Sequence, residues 1–548
     1  MTCAEVDFDL TERPWIHATD LGGHPRELSL REVFDLAPQL AALTGEVPTQ
    51  SFAILRLLLA VVRRALAHRT GAPAQIWGDL WGNGTRPRQL PTEEIDAYLT
   101  KHQNRFWLFD PVVPFMQVAQ LRSATDAVSA LDRLIADVPN GDKYFTTRAG
   151  ASVERIGFAE AARWLVHAHA FDPSGIKTGA VGDPRVKKSK GYPIGVAWTG
   201  GLGGVFVEGA TLAETLLLNL VLRDRDGNRF HNDDLPAWER LPDTATQRKV
   251  AIPTGPVDLF TWQSRRIRLV HNSSHVTGVV LCNGDALDPF NRQAIEPMTG
   301  WRYSEIQTKK SGQPRHYPSG HDPQRALWRG LTGLLGEIAN PSPTTGRAIP
   351  PGVAEWIRYL IDEDALDPAH PVRLHATGMQ YINNQSVVGD IIDDTLGFRA
   401  ALLATDPNLR TCALNAVQIA DGSVDALATL AGNLSRAIGG DPLGARQRAR
   451  ERGFFALDAP YRQWLTTLDP AEGAYDRYDA EWQAMVRSVI EPLGTDLLLT
   501  AGPPAWTGRE IDGQLIDAGR AEIWFRHRLR KLLPDVYPRT TEHEEPEA

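Results

Sequence analysis

From residue 389 onward, one segment after another repeats its apolar residues at the helical period, and this pattern constrains the fold more than any other feature. Helices are expected over 393–404, 414–438, 443–455, 460–468, 480–490 and 508–533. The breaks carry glycine or proline: Gly439-Gly440, Pro470, Gly494 and Pro503-Pro504. Long helices joined by short breaks point to an all-α four-helix bundle over 389–538. Residues 539–548 are polar and acidic and read as a disordered tail.

Residues 1–388 read differently, as a large mixed α/β domain, so the fold class is α+β. The 548 residues exceed one typical core, and the 38 prolines and 47 glycines imply many loops, mostly in the first two thirds. Ser29-Leu30-Arg31-Glu32 has the form of a capping box and starts a helix running towards Leu43. Residues 52–67 form a strongly apolar helix with Ile54, Leu57, Leu58, Val61 and Val62 on its buried side and Arg56, Arg63 and Arg64 elsewhere. Further helices are expected over 92–102, 126–138, 157–171, 212–223, 325–339 and 351–362. Residues 257–281 and 372–381 have β character.

The net charge of −9 excludes a chain that binds nucleic acid by overall basicity; any such contact must come from local patches. No apolar run is long enough to span a bilayer, and the acidic start Met1 to Asp7 does not resemble a signal peptide. Three scattered cysteines, Cys3, Cys282 and Cys412, make neither a disulfide framework nor a zinc site. A cytoplasmic protein without membrane contact is expected.

Motifs for catalysis are scarce. No zinc-binding His-Glu-x-x-His, nucleophile elbow or Walker loop occurs, so no enzyme, cofactor or metal is expected. Gly200-Gly201-Leu202-Gly203-Gly204 is the alternative: a cradle for a phosphate-bearing small molecule in a soluble enzyme, or simply a turn before the strand Val205-Phe206-Val207. His321-Asp322 lacks the partners of a metal site. Asp362-Glu363-Asp364 reads as a solvated run, and Asp390-Ile391-Ile392-Asp393-Asp394 as helix capping.

Asn383-Asn384-Gln385-Ser386, between the β segment and the helical region, is the stronger candidate site. Carboxamides carry a donor and an acceptor without charge, which suits base edges better than phosphate. The competing reading is a turn whose amides bind their own backbone. Two basic loops accompany it. Gly175 to Gly182 is glycine-rich, includes Lys177 and Gly179, and is followed by Arg185, Lys187, Lys188 and Lys190; a second segment carries Lys309 and Lys310. Glycines admit close backbone approach and the cations attract phosphate, yet each is also an ordinary solvated loop taken singly. Asp137 to Lys143, followed by Tyr144 to Arg148, is a third candidate.

Several segments in order resemble CasA, the large-subunit family of the type I-E CRISPR Cascade surveillance complex. They are Phe8-Asp9-Leu10-Thr11-Glu12-Arg13-Pro14-Trp15-Ile16, Ser29 to Val33, Phe109-Asp110-Pro111-Val112-Val113-Pro114-Phe115-Met116-Gln117, residues 200–218 and Asn383-Asn384-Gln385. The resemblance implies a non-catalytic subunit that recognises the protospacer-adjacent motif in double-stranded target DNA and starts R-loop formation. It also implies contact with the guide RNA 5′ end, the other Cascade subunits and the nuclease-helicase. Carried over by position, Gln385 is the wedge that enters the duplex, with Asn384 and Ser386 beside it. Gly179 and its neighbours form the glycine loop. Val138 and Asn140 contact the guide RNA and other subunits. Only Cys282 stands where some relatives carry a cysteine cluster.

Overall fold

The computed structural model describes residues 7–82, 88–138, 146, 148, 151–230, 232–249, 251–335, 348–404, 407–470, 473–511 and 513–537. They fall into two compact units. One holds residues 7–327, 348–367 and Val372–Thr395; the other holds 328–335, Pro368–Pro371 and the described residues from Leu396. The division lies within a strand, Val387–Arg399, later than the boundary expected at 388. The expected tail over 539–548 and the candidate Asn140 lie outside the described residues.

The first unit is built around the helix Pro48–Ala65, whose proline at the first turn presets the helical φ. It packs against the helices Phe158–Phe171 and Pro256–Phe260. Arg56 corrects the sequence reading: it is buried, and both its terminal nitrogens donate to Glu296 at 2.8 Å. Trp198 Nε1 donates to the same carboxylate at 2.7 Å. Helical periodicity alone marks apolar faces and cannot anticipate a partner so distant in the chain.

Local signals decide several elements. Ser29 and Glu32 make the reciprocal capping box, but the helix stops at Asp35 and a strand, Leu40–Leu43, follows. That strand, Ile16–Asp20 and Pro25–Leu28 form an antiparallel sheet with Ile16–Asp20 central. Helix Thr92–His102 lies where expected. Helix 212–223 ends at Leu218, because Asn219 turns its amide to both the N–H and the carbonyl of Val207. Of helix 126–138 only the turn Leu131–Arg133 forms; Ser129 instead pairs its backbone with Val279 on a hairpin strand. That hairpin, Arg265–His271 with Val276–Asn283, follows the helix Pro256–Phe260 in the stretch read as β throughout. The expected helix 325–339 appears as two short pieces, Leu327–Gly330 and Leu331–Leu335, and its remainder lies outside the described residues.

The sheet that positions the candidate site orders its strands Val387–Arg399, Pro371–Ile382 and Gly204–Glu208. Residues 393–399 were expected to be helical. They are strand because the acidic residues find cross-strand and loop partners rather than a helix N-terminus. Asp393 pairs with His375 on the neighbouring strand, and Asp394 accepts from the Leu327 N–H at 2.7 Å.

The second unit is dominated by the helices Pro407–Ala437, Pro442–Thr467, Tyr475–Thr500 and Ala518–Leu532, the first packing on the other three. Pro460 and Pro492 sit inside helices, where breaks were expected around them. The turn after Pro460 is held by Tyr461, stacked on Trp328 at 4.5 Å and edge-on to Trp482 at 5.2 Å. Gly494 is no break either; a side chain there would collide with the Phe525 ring. The unit is not all-α. Arg509–Ile511 pairs with Gln514–Ile516 as a small antiparallel pair of strands, with Gly513 at positive φ, and the last helix starts only after Asp517, which caps it. Among the described residues no helix is long and apolar enough to cross a membrane.

Candidate nucleic-acid interface

The amide segment is the tip of a long hairpin between the strands Pro371–Ile382 and Val387–Arg399. Asn383, Asn384 and Gln385 have φ of 50°, 57° and 65°. Three consecutive left-handed residues make one left-handed turn, closed by the Ser386 N–H on the Ile382 carbonyl at 3.1 Å. L-residues resist this conformation by about 1–2 kcal/mol each; asparagine tolerates it better than glutamine does. The turn is held from outside as well. The Ser174 N–H donates to the Gln385 carbonyl at 2.8 Å, and the Ser386 hydroxyl donates to the Asn383 carbonyl at 2.7 Å. Below, the Tyr381 hydroxyl donates to the Phe171 carbonyl at 2.6 Å.

The turn is thus closed by backbone and by Ser386. The side chains of Asn384 and Gln385 are exposed and make no hydrogen bond among the described residues. That differs from a turn whose amides satisfy its own backbone. The strain thus lies beneath two amides that no other described residue engages.

Ser386 lines a cavity of about 280 Å³ together with Val138, Gly175 and Lys177, so the fold brings three segments distant in sequence to one place. Lys177, expected as a surface cation, faces inward and binds Asp172 at 2.6 Å, with Arg265 on the same carboxylate. Burial alone would raise the Asp172 pKa, but Lys177 and Arg265 together hold it below the usual carboxylate value. Gly179 is a second correction. It is buried; its N–H donates to the Ser189 carbonyl and its own carbonyl accepts from Ala124. An added Cβ would lie 2.5 Å from Val186 Cγ1. Its lack of a side chain serves internal packing. Gly179→Ala is therefore expected to destabilise the first unit by about 1–3 kcal/mol through overpacking, read by denaturant titration; an unchanged midpoint would refute the packing role.

The exposed cations sit further along the same hairpin, Lys177–Thr178 with Lys190–Gly191. Lys187 and Lys190 exchange both backbone bonds at 3.1 and 3.0 Å across a two-residue turn, Lys188-Ser189, with φ of 51° and 60°. Such turns favour Asn-Gly, so Lys-Ser here is a second strained tip, one that sequence reading missed. Lys187, Lys188 and Lys190 are exposed, whereas Arg185 is turned inward to Asp183 and the Asn283 and Gly284 carbonyls. Lys309 and Lys310 lie on a short helix, Glu305–Ser311, in the segment expected to be a loop; Lys309 pairs with Glu305 at 2.6 Å. Hydrogen bonds join that segment to Asn291, not to the amide loop.

His375 braces the sheet beneath the loop, between Asp393 and Glu208 and stacked on Phe206 at 4.5 Å. Burial depresses its pKa, but the hydrogen bond to Asp393 and the nearby Glu208 carboxylate at 3.5 Å outweigh this and raise it to about 9. With the folded pKa above the unfolded one of about 6.5, this stabilisation is complete below pH 6.5 and fades as pH rises through 9. Unfolding titrations between pH 6 and 10 are expected to show a loss that His375→Gln removes; parallel curves for the two proteins would contradict it.

The glycine cradle is filled by the protein itself. Added Cβ atoms would lie 2.3 Å from Tyr381 Oη at Gly200, 2.1 Å from the Ser319 carbonyl oxygen at Gly203 and 2.7 Å from Phe52 Cε1 at Gly204. The Leu202 and Val205 N–H groups donate to the Thr199 and Met298 carbonyls, leaving little to hold a phosphate. His321 is turned to the Gly204 carbonyl at 2.9 Å, and its pKa is pulled down by burial. Among the described residues no three His, Cys, Asp or Glu side chains gather as metal ligands.

Comparison with known proteins places the chain in the class of CRISPR-associated proteins. The family model of CRISPR-associated protein Cse1 matches residues 9–492, and the chain belongs to that family. It is 43% identical to Cse1 from Thermobifida fusca, with a TM-score of 0.90 over 98% of this chain and 100% of that one. It is 26% identical to CRISPR-associated protein CasA/Cse1 of Thermus thermophilus over 84% of this chain and 82% of that protein. A chain of a CRISPR RNA-guided surveillance complex shares the fold at 19% identity, with a TM-score of 0.62 over 90% of this chain and 99% of that one.

Proposed function

We propose that this chain is the non-catalytic subunit of an RNA-guided surveillance complex that recognises a short motif in double-stranded DNA and starts strand separation beside it. The observation that carries this reading is the left-handed turn at Asn383 to Gln385, with its two exposed, unengaged amides. Gln385 enters the duplex, and its amide replaces pairing bonds lost by the first opened base pair. Asn384 reads base edges of the motif. Lys187, Lys188 and Lys190 hold the phosphates alongside. Val138, with Asn140, meets the guide RNA 5′ end and neighbouring subunits, and the opened DNA passes to a nuclease-helicase recruited by the complex. Family membership and the shared fold of a surveillance-complex chain support the setting.

Binding of the assembled complex to duplexes with and without the motif, across a salt series, tests this division of labour. Asn384→Ala is expected to erase the preference for the motif. Lys188→Ala should weaken both duplexes alike and reduce the salt slope by about 1. Retained motif preference in the Asn384 variant would overturn the assignment.

A further inference from the structure

A second cavity, of about 340 Å³, opens in the first unit beside the helix Gly352–Asp362. Its size is that of a small-molecule site. Three guanidinium groups line it: Arg223, Arg225 and Arg358. Arg225 is structural, bound to Glu355 at 2.7 Å and to the Gln293 carbonyl at 3.1 Å. Arg223 and Arg358 form no ion pair among the described residues; Arg223 lies over the Tyr359 ring at 4.2 Å, which fixes it without neutralising it. The acidic groups of the wall are already engaged. Glu355 is held by Arg225, Asp224 accepts from the Asn228 N–H at 2.8 Å and from its amide at 3.3 Å, and Asp362 has an interaction of its own.

Two further groups are unsatisfied. Trp356 is buried, and its indole N–H has no acceptor among the described residues; the side-chain oxygen of Gln293 has no donor. Both residues line the cavity. Unpartnered buried donors and acceptors destabilise the fold, and a ligand that met them would remove that cost. Guanidinium groups without carboxylates favour phosphate, and an unmet donor and an unmet acceptor on residues of one cavity wall favour a flat heteroatom-bearing ring.

We propose that this cavity binds a nucleotide, its phosphate between Arg223 and Arg358 and its base towards Trp356 and Gln293. The site is separate from the amide loop and does not depend on the reading given to that loop. Its phosphate chemistry is shared by a free mononucleotide and by one nucleotide of a single strand.

Calorimetric titration of the full chain with adenosine monophosphate, adenosine and inorganic phosphate tests it. The monophosphate is expected to bind, and both fragments to bind at least about tenfold more weakly. Arg223→Ala with Arg358→Ala should lower monophosphate affinity at least about tenfold, since it removes both charged donors to the phosphate. Arg358→Gln alone, a half-exposed position, should weaken it several-fold and provides the test if the double variant misfolds. Trp356→Phe should cost a smaller factor. Displacement by a single-stranded decanucleotide would support a nucleic-acid source for the phosphate, and failure to displace would support a free nucleotide. No binding of the monophosphate, equal binding of adenosine, or affinity that survives loss of Arg358 would overturn the proposal.

Discussion

Glu296→Ala is expected to destabilise the first unit by about 3–5 kcal/mol, the largest effect of any single substitution considered. Glu296 is fully buried and receives both terminal nitrogens of Arg56, the Trp198 indole N–H at 2.7 Å and the Met298 N–H at 3.2 Å. Removing the carboxylate leaves a guanidinium buried and unpaired in the centre of the core helix. Replacing both partners, Arg56→Met with Glu296→Leu, is expected to cost less, because the uncompensated charge disappears and only the smaller penalty of the orphaned Trp198 and Met298 donors remains. Denaturant titration of both proteins measures this. A single variant within about 1 kcal/mol of the parent, or a double variant worse than the single, would contradict this account of the core.

Much of the framework was legible in short-range signals. Ser29 and Glu32 announce their capping box, Thr92–His102 its helix, and the run from Val372 its strand, because each rests on residues close together in the chain. The failures share a different cause. Arg56, Lys177 and Asp393 were assigned by local pattern, but each is placed by a partner on another element: Glu296, Asp172 and His375. Charge on a basic loop predicts attraction to phosphate only if the loop leaves it in solvent, and nothing local reveals that Lys177 turns inward while Lys187 and Lys188 do not. The helices expected to end at 455 and 490 instead run on through Pro460 and Pro492, and aromatic packing from Tyr461 and Trp482 holds the chain helical around the first.

The candidate site was legible in part. Asn383-Asn384-Gln385 stood out by composition alone, whereas its left-handed geometry and its anchoring by Ser174 required the fold. The strained Lys188-Ser189 turn left a trace in the sequence, a lysine-rich segment after a glycine loop. Only the hairpin pairing shows why that turn presents its lysines outward.

Gln385→Ala bears most directly on the proposed role of the loop. On that proposal, opening the first pair beside the motif costs a few kcal/mol of unstacking, and the glutamine amide offsets part of it before guide pairing repays the rest. A loss of about 1.4 kcal/mol of that offset is a tenfold slower step. Gln385→Gly sharpens the test, because glycine accepts the positive φ without strain and removes the amide while keeping the turn. The decisive measurement is the rate of strand opening by the assembled complex, reported by 2-aminopurine at the first pair beside the motif, on a fully paired target and on one pre-melted there by mismatch. Both variants are expected to open the paired target at least about tenfold more slowly and the pre-melted target at nearly the parent rate. Equal slowing on the two targets, or parental rates on both, would contradict the role given to Gln385.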